Sequence, residues 1–137
     1  MPGTSFIITQ TNIDRERICV MITEEKDRSL ADRITEALLL LGISPYYKGH
    51  GYLVASIEVT VLDPSRIELV TKDLYPSIGR RFEVTTASVE RCMRTAISIC
   101  WFYSKGTLDR MAHRHLTKRP TCSEFIAIIA DYIRRTE

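Results

Sequence analysis

The cationic side chains of this 137-residue chain are the first candidates for chemistry, because their excess over acidic side chains is concentrated between positions 80 and 119. That segment carries nine Lys and Arg against three Asp and Glu, a balance of +6, whereas residues 1–79 carry eight against eleven, a balance of −3. Such a segment is typical of a surface that binds phosphates, although a solvated protein surface can carry the same charge. The candidate phosphate contacts are Arg80, Arg81, Lys105 and Arg119.

Other reactive residue types do not form a recognisable site. The four cysteines are Cys19, Cys92, Cys100 and Cys122. None belongs to a C-x-x-C pair, so we expect reduced thiols packed as small apolar groups. His113 and His115 would point to different sides of a helix, which does not favour a metal site. With no paired carboxylates and no nucleophile beside a base, we expect neither an enzyme nor a cofactor.

The long helix that would carry two of the arginines is predicted from Thr86 to Tyr103, with Thr85 or Thr86 as its cap. Its buried stripe comprises Val89, Met93, Ala96, Ile97 and Cys100. At about 100° per residue, Arg94 lies opposite that stripe, and Glu90 and Arg91 lie on either side of Arg94. A short helix over 76–82 precedes it. Together the two segments indicate a helix-turn-helix, although a plain core helix with a solvated face has the same pattern.

Periodicity predicts a mainly helical domain over residues 29–137 and a separate N-terminal segment over 1–28. The remaining predicted helices cover about 30–41, 51–62, 65–72, 108–113 and 121–135. Pro45 and Gly49 bracket the first connector, and S/T-x-x-E capping boxes start the helices at Ser65 and Thr121. Gly79 costs about 1 kcal/mol of helix propensity relative to alanine, so we expect a close helix crossing there.

Composition places the chain among soluble, cytoplasmic proteins with one domain. Hydrophobic residues make up 45% of the chain, which is enough for a core. No apolar run approaches the roughly 20 residues that span a bilayer, so we expect no membrane partner. The N-terminus has no basic stretch followed by an apolar segment and a cleavage site, so we expect no secretory signal.

Four stretches of the chain closely resemble the DNA-binding effector domain of the master sporulation response regulator of endospore-forming bacteria. They are KGHGYLVASI (48–57), LYPSIGRRF (74–82), VERCMRTAI (89–97) followed by Trp101, and PTCSEFIAIIAD (120–131). The resemblance covers about residues 30–135. It implies about six helices with a helix-turn-helix, in the winged-helix-like class of response-regulator effector domains. It also implies transcription regulation in sporulation, through a short GTCGAA-like box in double-stranded DNA that two domains usually bind as tandem copies.

The resemblance also assigns roles to residues. Glu90, Arg91 and Arg94 match the family positions that face bases and nearby phosphates. Arginine pairs with guanine O6 and N7 and glutamate accepts from cytosine N4, so this trio suits a G·C-containing site. The candidate DNA-facing set is completed by Thr86, Ser88 and Thr95. Ser88 stands where the family tends to have a basic residue, and Thr95 where it often has histidine. The segment from Thr121 matches the one through which two family domains touch.

Control and assembly stay open at this point. About 28 residues precede the effector-like region, too few for a phosphorylated receiver domain, so we expect either constitutive activity or control by amount or by a partner. One function is sequence-specific transcription regulation. The alternative is an interaction module that pairs with a full-length regulator, and an enzyme ranks far behind both. Residues 5–11 and 17–23 are rich in β-branched types and predict a short β-hairpin. They either pair between two copies, giving a homodimer or a heterodimer with a related regulator, or fold back over their own helices.

Overall fold

A computed structural model of the protein describes residues 29–136. These contain six α-helices: α1 (Leu30–Leu40), α2 (Lys48–Leu62), α3 (Tyr75–Phe82), α4 (Thr86–Tyr103), α5 (Lys105–Ala112) and α6 (Cys122–Arg135). A 3-10 helix, Pro64–Leu69, and a π-helix, Val70–Leu74, connect α2 to α3. The prediction of a mainly helical fold is confirmed, and the predicted β segment over 5–23 lies outside the described residues. None of the helices described is long and apolar enough to cross a membrane.

Helix α2 occupies the centre of the domain and packs against α1, α4 and α6. Its apolar residues run all round it, because its neighbours bury most of its surface. The amphipathic stripes of α1, α4 and α6 close the core around it. Large side chains that are fully buried there include Ile34, Leu38, Leu53, Ile57, Met93, Ile97 and Phe125. The stripe predicted for α4 is confirmed, since all five of its members are buried.

The crossing of α2 over α4 brings two backbones close together. A Cβ added at Gly49 would lie 2.4 Å from the Cys92 carbonyl oxygen, so only glycine fits. The predicted start of this helix near residue 51 was therefore wrong: α2 begins at Lys48 and takes Gly49 into its first turn. Periodicity placed Gly49 in a connector because local propensity disfavours glycine inside helices, and a tertiary contact overrides that preference here.

The end of α6 is held by three arginine side chains that donate hydrogen bonds to carbonyl oxygens of other elements. Arg33 Nη2 donates to the Ile133 oxygen at 2.6 Å. Arg134 Nη1 donates to the Thr60 oxygen at 3.3 Å, and Arg135 Nη2 to the Met111 oxygen at 2.7 Å. Carbonyls near helix ends lack partners within their own helix, so such donors satisfy groups that would otherwise need water. The last helix is thus tied to α1, α2 and α5.

The predicted helix over 65–72 was wrong as an α-helix. The Asp63 carboxylate accepts from the Ser65 backbone N–H at 3.3 Å and from its hydroxyl at 2.6 Å, so Ser65 does not act as the expected cap. Such local side-chain bonds compete with the α-helical pattern, and the chain forms 3-10 and π turns instead. The capping box of α6 is confirmed, because Thr121 N–H donates to Glu124 Oε1 at 2.8 Å and Glu124 N–H to Thr121 Oγ1 at 3.2 Å.

Two further expectations concern α5 and the thiols. Helix α5 begins at Lys105, three residues before its predicted start. Cys92, Cys100 and Cys122 are free thiols, as predicted, and Cys19 lies outside the described residues. Burial raises the pKa of Cys100 to about 12, which keeps its thiol protonated and unreactive. Between residues 29 and 136, no group of three or more His, Cys, Asp or Glu side chains is placed to hold a metal ion.

A buried histidine makes stability depend on pH. His50 is only 8% exposed, and its Nε2 has no hydrogen-bond partner within residues 29–136. Burial lowers its pKa from 6.5, because the low-dielectric surroundings disfavour the imidazolium. The unfolded chain therefore takes up a proton at higher pH than the folded chain does. The stability that neutral His50 contributes is fully present above the pKa that this histidine has in the unfolded chain. This contribution falls as pH drops below that value toward the pKa of His50 in the folded chain.

We expect the thermal midpoint to decrease between pH 7 and pH 5, and the variant His50→Leu to show less of this decrease. Thermal unfolding followed by circular dichroism at the two pH values measures it. His113→Asn is the matched control, since His113 is exposed and its left-handed backbone conformation is one that asparagine tolerates. An unchanged pH dependence in His50→Leu would contradict the assignment to His50.

Candidate nucleic-acid interface

Helices α3 and α4 are joined by a three-residue turn whose hydrogen bonds fix both ends. Glu83 ends α3 in the left-handed conformation, with φ of +59°. The Val84 N–H then donates to the Gly79 carbonyl oxygen at 2.9 Å. On the other side, Thr85 Oγ1 accepts from the Ser88 N–H at 3.1 Å and caps α4. The short helix, the turn and the long helix together form the helix-turn-helix predicted from the sequence.

Gly79 in α3 leaves room for the backbone of this turn. A Cβ at Gly79 would lie 2.8 Å from the Val84 carbonyl oxygen, so a larger residue would push the turn outward. The expectation of a close helix crossing at Gly79 was therefore wrong. The glycine allows the chain to reverse tightly after α3, and the close crossing occurs at Gly49 instead.

The open face of α4 carries a pair of opposite charges one turn apart. Arg94 Nη2 lies 3.2 Å from Glu90 Oε2, with 54% and 46% of the two side chains exposed. Arg91 is exposed beside them. An ion pair this open to water contributes at most about 1 kcal/mol, so either partner can exchange it for another contact at little cost. The guanidinium groups of Arg91 and Arg94 are thus available at the surface.

Small hydroxyl side chains surround these charges on the same face. Thr86 and Ser88 are half-buried in the first turn of α4, and Thr95 is exposed one turn beyond Arg91. The Thr95 hydroxyl donates to the Arg91 carbonyl oxygen at 3.1 Å, so its oxygen stays able to accept another hydrogen bond. Residues three and four apart are neighbours on a helix surface, so Ser88, Arg91 and Thr95 form one row of α4 and Thr86, Glu90 and Arg94 form an adjoining row. Thr86 and Ser88, which are two residues apart, lie at opposite edges of the open face.

Two arginines of α3 flank the turn. Arg80 and Arg81 occupy the last turn of α3, and both are exposed. The Arg81 guanidinium lies 5.6 Å from the centre of the Phe82 ring, and this ring meets the Tyr52 ring edge-on at 5.1 Å. The aromatic contact restrains the position of one cation without using its hydrogen-bond donors.

The last two candidates lie in different surroundings. Arg119 Nη1 donates to Ser98 Oγ at 2.7 Å, which places the arginine against α4 although it is 21 residues away in sequence. Lys105 instead donates to Asp109 Oδ2 at 2.8 Å and lies 5.2 Å from the centre of the Trp101 ring. It also follows the C-terminal end of α4, whose last residue is about 13 Å beyond Arg94 at 1.5 Å per residue. The structure therefore places Arg119 beside the open face of α4 that carries Arg94, and it sets Lys105 apart from that face.

Sequence reasoning missed one cation of this surface. Lys48 is exposed at the start of α2, and it lines a shallow pocket together with Arg91 and Thr95. The close crossing at Gly49 puts it there. The one local signal of this crossing was Gly49 in an otherwise apolar stretch, and a glycine does not identify the helix that packs against it.

One comparison with known protein families places this surface in context. The model of the family described as sporulation initiation factor Spo0A C terminal matches residues 34–133, which are 100 of the 137 residues. The matched range contains α2 to α5 in full, the second half of α1, all but the last two residues of α6, and every side chain described in this section.

Proposed function

The chain belongs to the family of the C-terminal domain of sporulation initiation factor Spo0A, a DNA-binding regulatory domain, and from this we propose that α4 reads a short GTCGAA-like box in the major groove of double-stranded DNA. The observation that carries the proposal is the exposure of Arg91 and Arg94 on the open face of the second helix of a helix-turn-helix. The protein would act on transcription, in the cytoplasm, where bacterial DNA lies.

The chemistry of the open face suits G·C pairs. An arginine guanidinium donates two parallel hydrogen bonds to guanine O6 and N7, and a glutamate carboxylate accepts from cytosine N4. Arg94 Nη2 and Glu90 Oε2 are already 3.2 Å apart, so the two side chains can bind neighbouring bases without a large rearrangement. Since an exposed ion pair contributes little to stability, its exchange for base contacts costs little.

Phosphate contacts would surround this base-reading centre. We assign Arg80 and Arg81 to the backbone on one side of the groove and Lys48 to the backbone beside Arg91. The hydroxyls of Thr86, Ser88 and Thr95 would add hydrogen bonds to phosphates or base edges. Lys105 would be the outermost phosphate contact, and it would have to release Asp109 to reach one. Phosphate contacts position a protein on the duplex, whereas base contacts specify the sequence.

Direct binding measurements test the proposal. A gel-shift titration compares a duplex carrying the box with a duplex of the same composition in scrambled order. Specific proteins prefer their sites over other DNA by about 10³-fold or more at physiological salt. Equal affinity for the two duplexes would contradict the proposal. A duplex with tandem boxes, compared with one single box, then shows whether two domains bind together.

A salt titration separates the phosphate contacts from the base contacts. We expect Arg80→Glu and Arg81→Glu each to weaken the box and the scrambled duplex by the same factor. The slope of log affinity against log salt should fall by about 0.9 for each phosphate that the variant no longer neutralises. Fluorescence anisotropy between about 50 and 200 mM salt measures both effects. Lys72→Glu reverses an exposed charge on the π-helix and should leave the slope nearly unchanged. A changed base preference in either arginine variant would argue against phosphate contacts.

One observation favours a second function, protein interaction. Leu39 and Leu40 are 58% and 59% exposed at the end of α1, and Phe102 and Tyr103 are 78% and 77% exposed at the end of α4. These ends adjoin, because a Cβ at Gly42 would lie 3.3 Å from Ser104 Oγ. Exposed apolar groups of this size are typical of interaction sites. Association with a second copy or a related regulator, without preference for the box, would favour this function.

A further inference from the structure

A cleft separates α4 from the N-terminal end of α6, and it contains two of the arginines. Its volume is about 410 Å³, and its lining includes Tyr75, Glu90, Arg94, Arg119, Cys122 and Ser123. The single carboxylate among these residues belongs to Glu90, which is paired with Arg94 at 3.2 Å. Arg119 therefore supplies the cleft with a positive charge that is not balanced by a carboxylate of its lining.

The guanidinium of Arg119 is held by one hydroxyl. Ser98 Oγ accepts from Arg119 Nη1 at 2.7 Å and donates its own hydrogen to the Arg94 carbonyl oxygen at 3.0 Å. The hydroxyl hydrogen is thus directed away from the arginine, and a lone pair faces it. Arg119 is exposed, and its other four N–H groups have no hydrogen-bond acceptor within residues 29–136. One donor anchors the side chain, and the remaining donors are available to an anion.

The backbone of Arg119 is fixed as well. It is followed by Pro120, which is buried, and by the capping box that Thr121 forms with Glu124. A flexible arginine side chain loses rotamer freedom when it binds a ligand, and this loss opposes binding. An arginine that is held at its backbone and at its guanidinium has lost much of that freedom already.

We propose that this cleft is a binding site for one phosphate of the DNA backbone, contacted by Arg119, and that Ser98 is the residue that positions Arg119. The inference rests on the proposed function. Ser98 lies one turn beyond Arg94, in the second half of α4, whereas helix-turn-helix proteins contact bases from the first half of this helix. A cation at that position meets the edge of the groove, where phosphates lie. Through Ser98, the start of α6 would be held in register with the base-reading face of α4.

Five variants of the full chain, one of them a control, test the positioning role on box and scrambled duplexes. We expect Arg119→Ala to weaken both duplexes about tenfold and to lower the salt slope by about 0.9. Ser98→Ala should weaken both about threefold, have no further effect when combined with Arg119→Ala, and be rescued by Ser98→Thr, which keeps the hydroxyl. Thr107→Ala is the matched control, because Thr107 Oγ1 accepts from Arg110 Nη2 at 3.1 Å on α5, outside the cleft. It should leave both affinities unchanged.

The outcomes distinguish this inference from the proposed function. If the unaltered protein prefers the box but the effects of Ser98→Ala and Arg119→Ala simply add, Ser98 does not position Arg119 and the inference fails alone. If Arg119→Ala weakens the box but not the scrambled duplex, the arginine contacts a base and the phosphate site is wrong. If the unaltered protein shows no preference for the box, the proposed function itself fails. Circular dichroism confirms that each variant is folded.

Discussion

The double variant Arg91→Ala/Arg94→Ala is expected to bind the GTCGAA-like box at least about thirtyfold more weakly, since each bidentate arginine contact to guanine is worth about 1–3 kcal/mol. Both side chains are exposed on α4, and neither contributes to the buried stripe of that helix. The fold should therefore be unaffected. Fluorescence anisotropy gives the affinity, and circular dichroism gives the helix content of the same samples.

The single variants and a charge control identify the cause. Arg91→Ala and Arg94→Ala should each show part of the effect and should reduce the preference for the box over the scrambled duplex. Arg110→Ala removes an equal charge from α5, outside the proposed interface, and should weaken both duplexes only slightly. Unchanged affinity of the double variant for the box would remove α4 as the base-reading helix.

The substitution Gly49→Ala is expected to destabilise the fold by about 3 kcal/mol, at the upper end of the usual cost of overpacking. The added Cβ would lie 2.4 Å from the Cys92 carbonyl oxygen, and a backbone atom cannot move aside as a flexible side chain can. Helices α2 and α4 would have to separate, which would open the core between them. Urea unfolding followed by circular dichroism measures the change in the free energy of unfolding.

Gly51→Ala in the same helix is the matched control. Its Cβ would lie 3.7 Å from the Phe82 ring, an ordinary van der Waals contact. Alanine is about 1 kcal/mol better than glycine in a helix interior, so this variant should be slightly more stable than the natural sequence. Equal effects of the two substitutions would show that helix propensity, and not the contact between α2 and α4, decides the outcome.

Those parts of the fold that depend on local periodicity could be predicted from the sequence. Helix α4 has a one-sided stripe and a capping threonine, so its bounds and its open face with Arg91 and Arg94 follow from residues within one helix. The same holds for α6, whose capping box and apolar face lie in one segment. Periodicity thus placed Glu90, Arg91 and Arg94 on the open face, and the family resemblance assigned them to the bases.

Features that depend on distant residues could not be predicted. The contact of Ser98 with Arg119 joins two elements, and no spacing rule connects them. The start of α2 depends on how α4 approaches Gly49, and an all-round apolar helix has no stripe that marks its end. At Ser65 the local signal was ambiguous, because Asp63 two residues earlier competes for the same backbone N–H group.

The position of α6 in the chain has a consequence for synthesis on the ribosome. Helix α2 lies at the centre of the core, yet one of its main neighbours is the last helix, some 60 residues later. Chains are made from the N-terminus at about 5–20 residues per second, so several seconds pass between the two. During that interval the nascent chain presents the apolar side of α2 that α6 later covers. We therefore expect this domain to complete folding only after α6 has left the ribosomal tunnel, and to be open to chaperones until then.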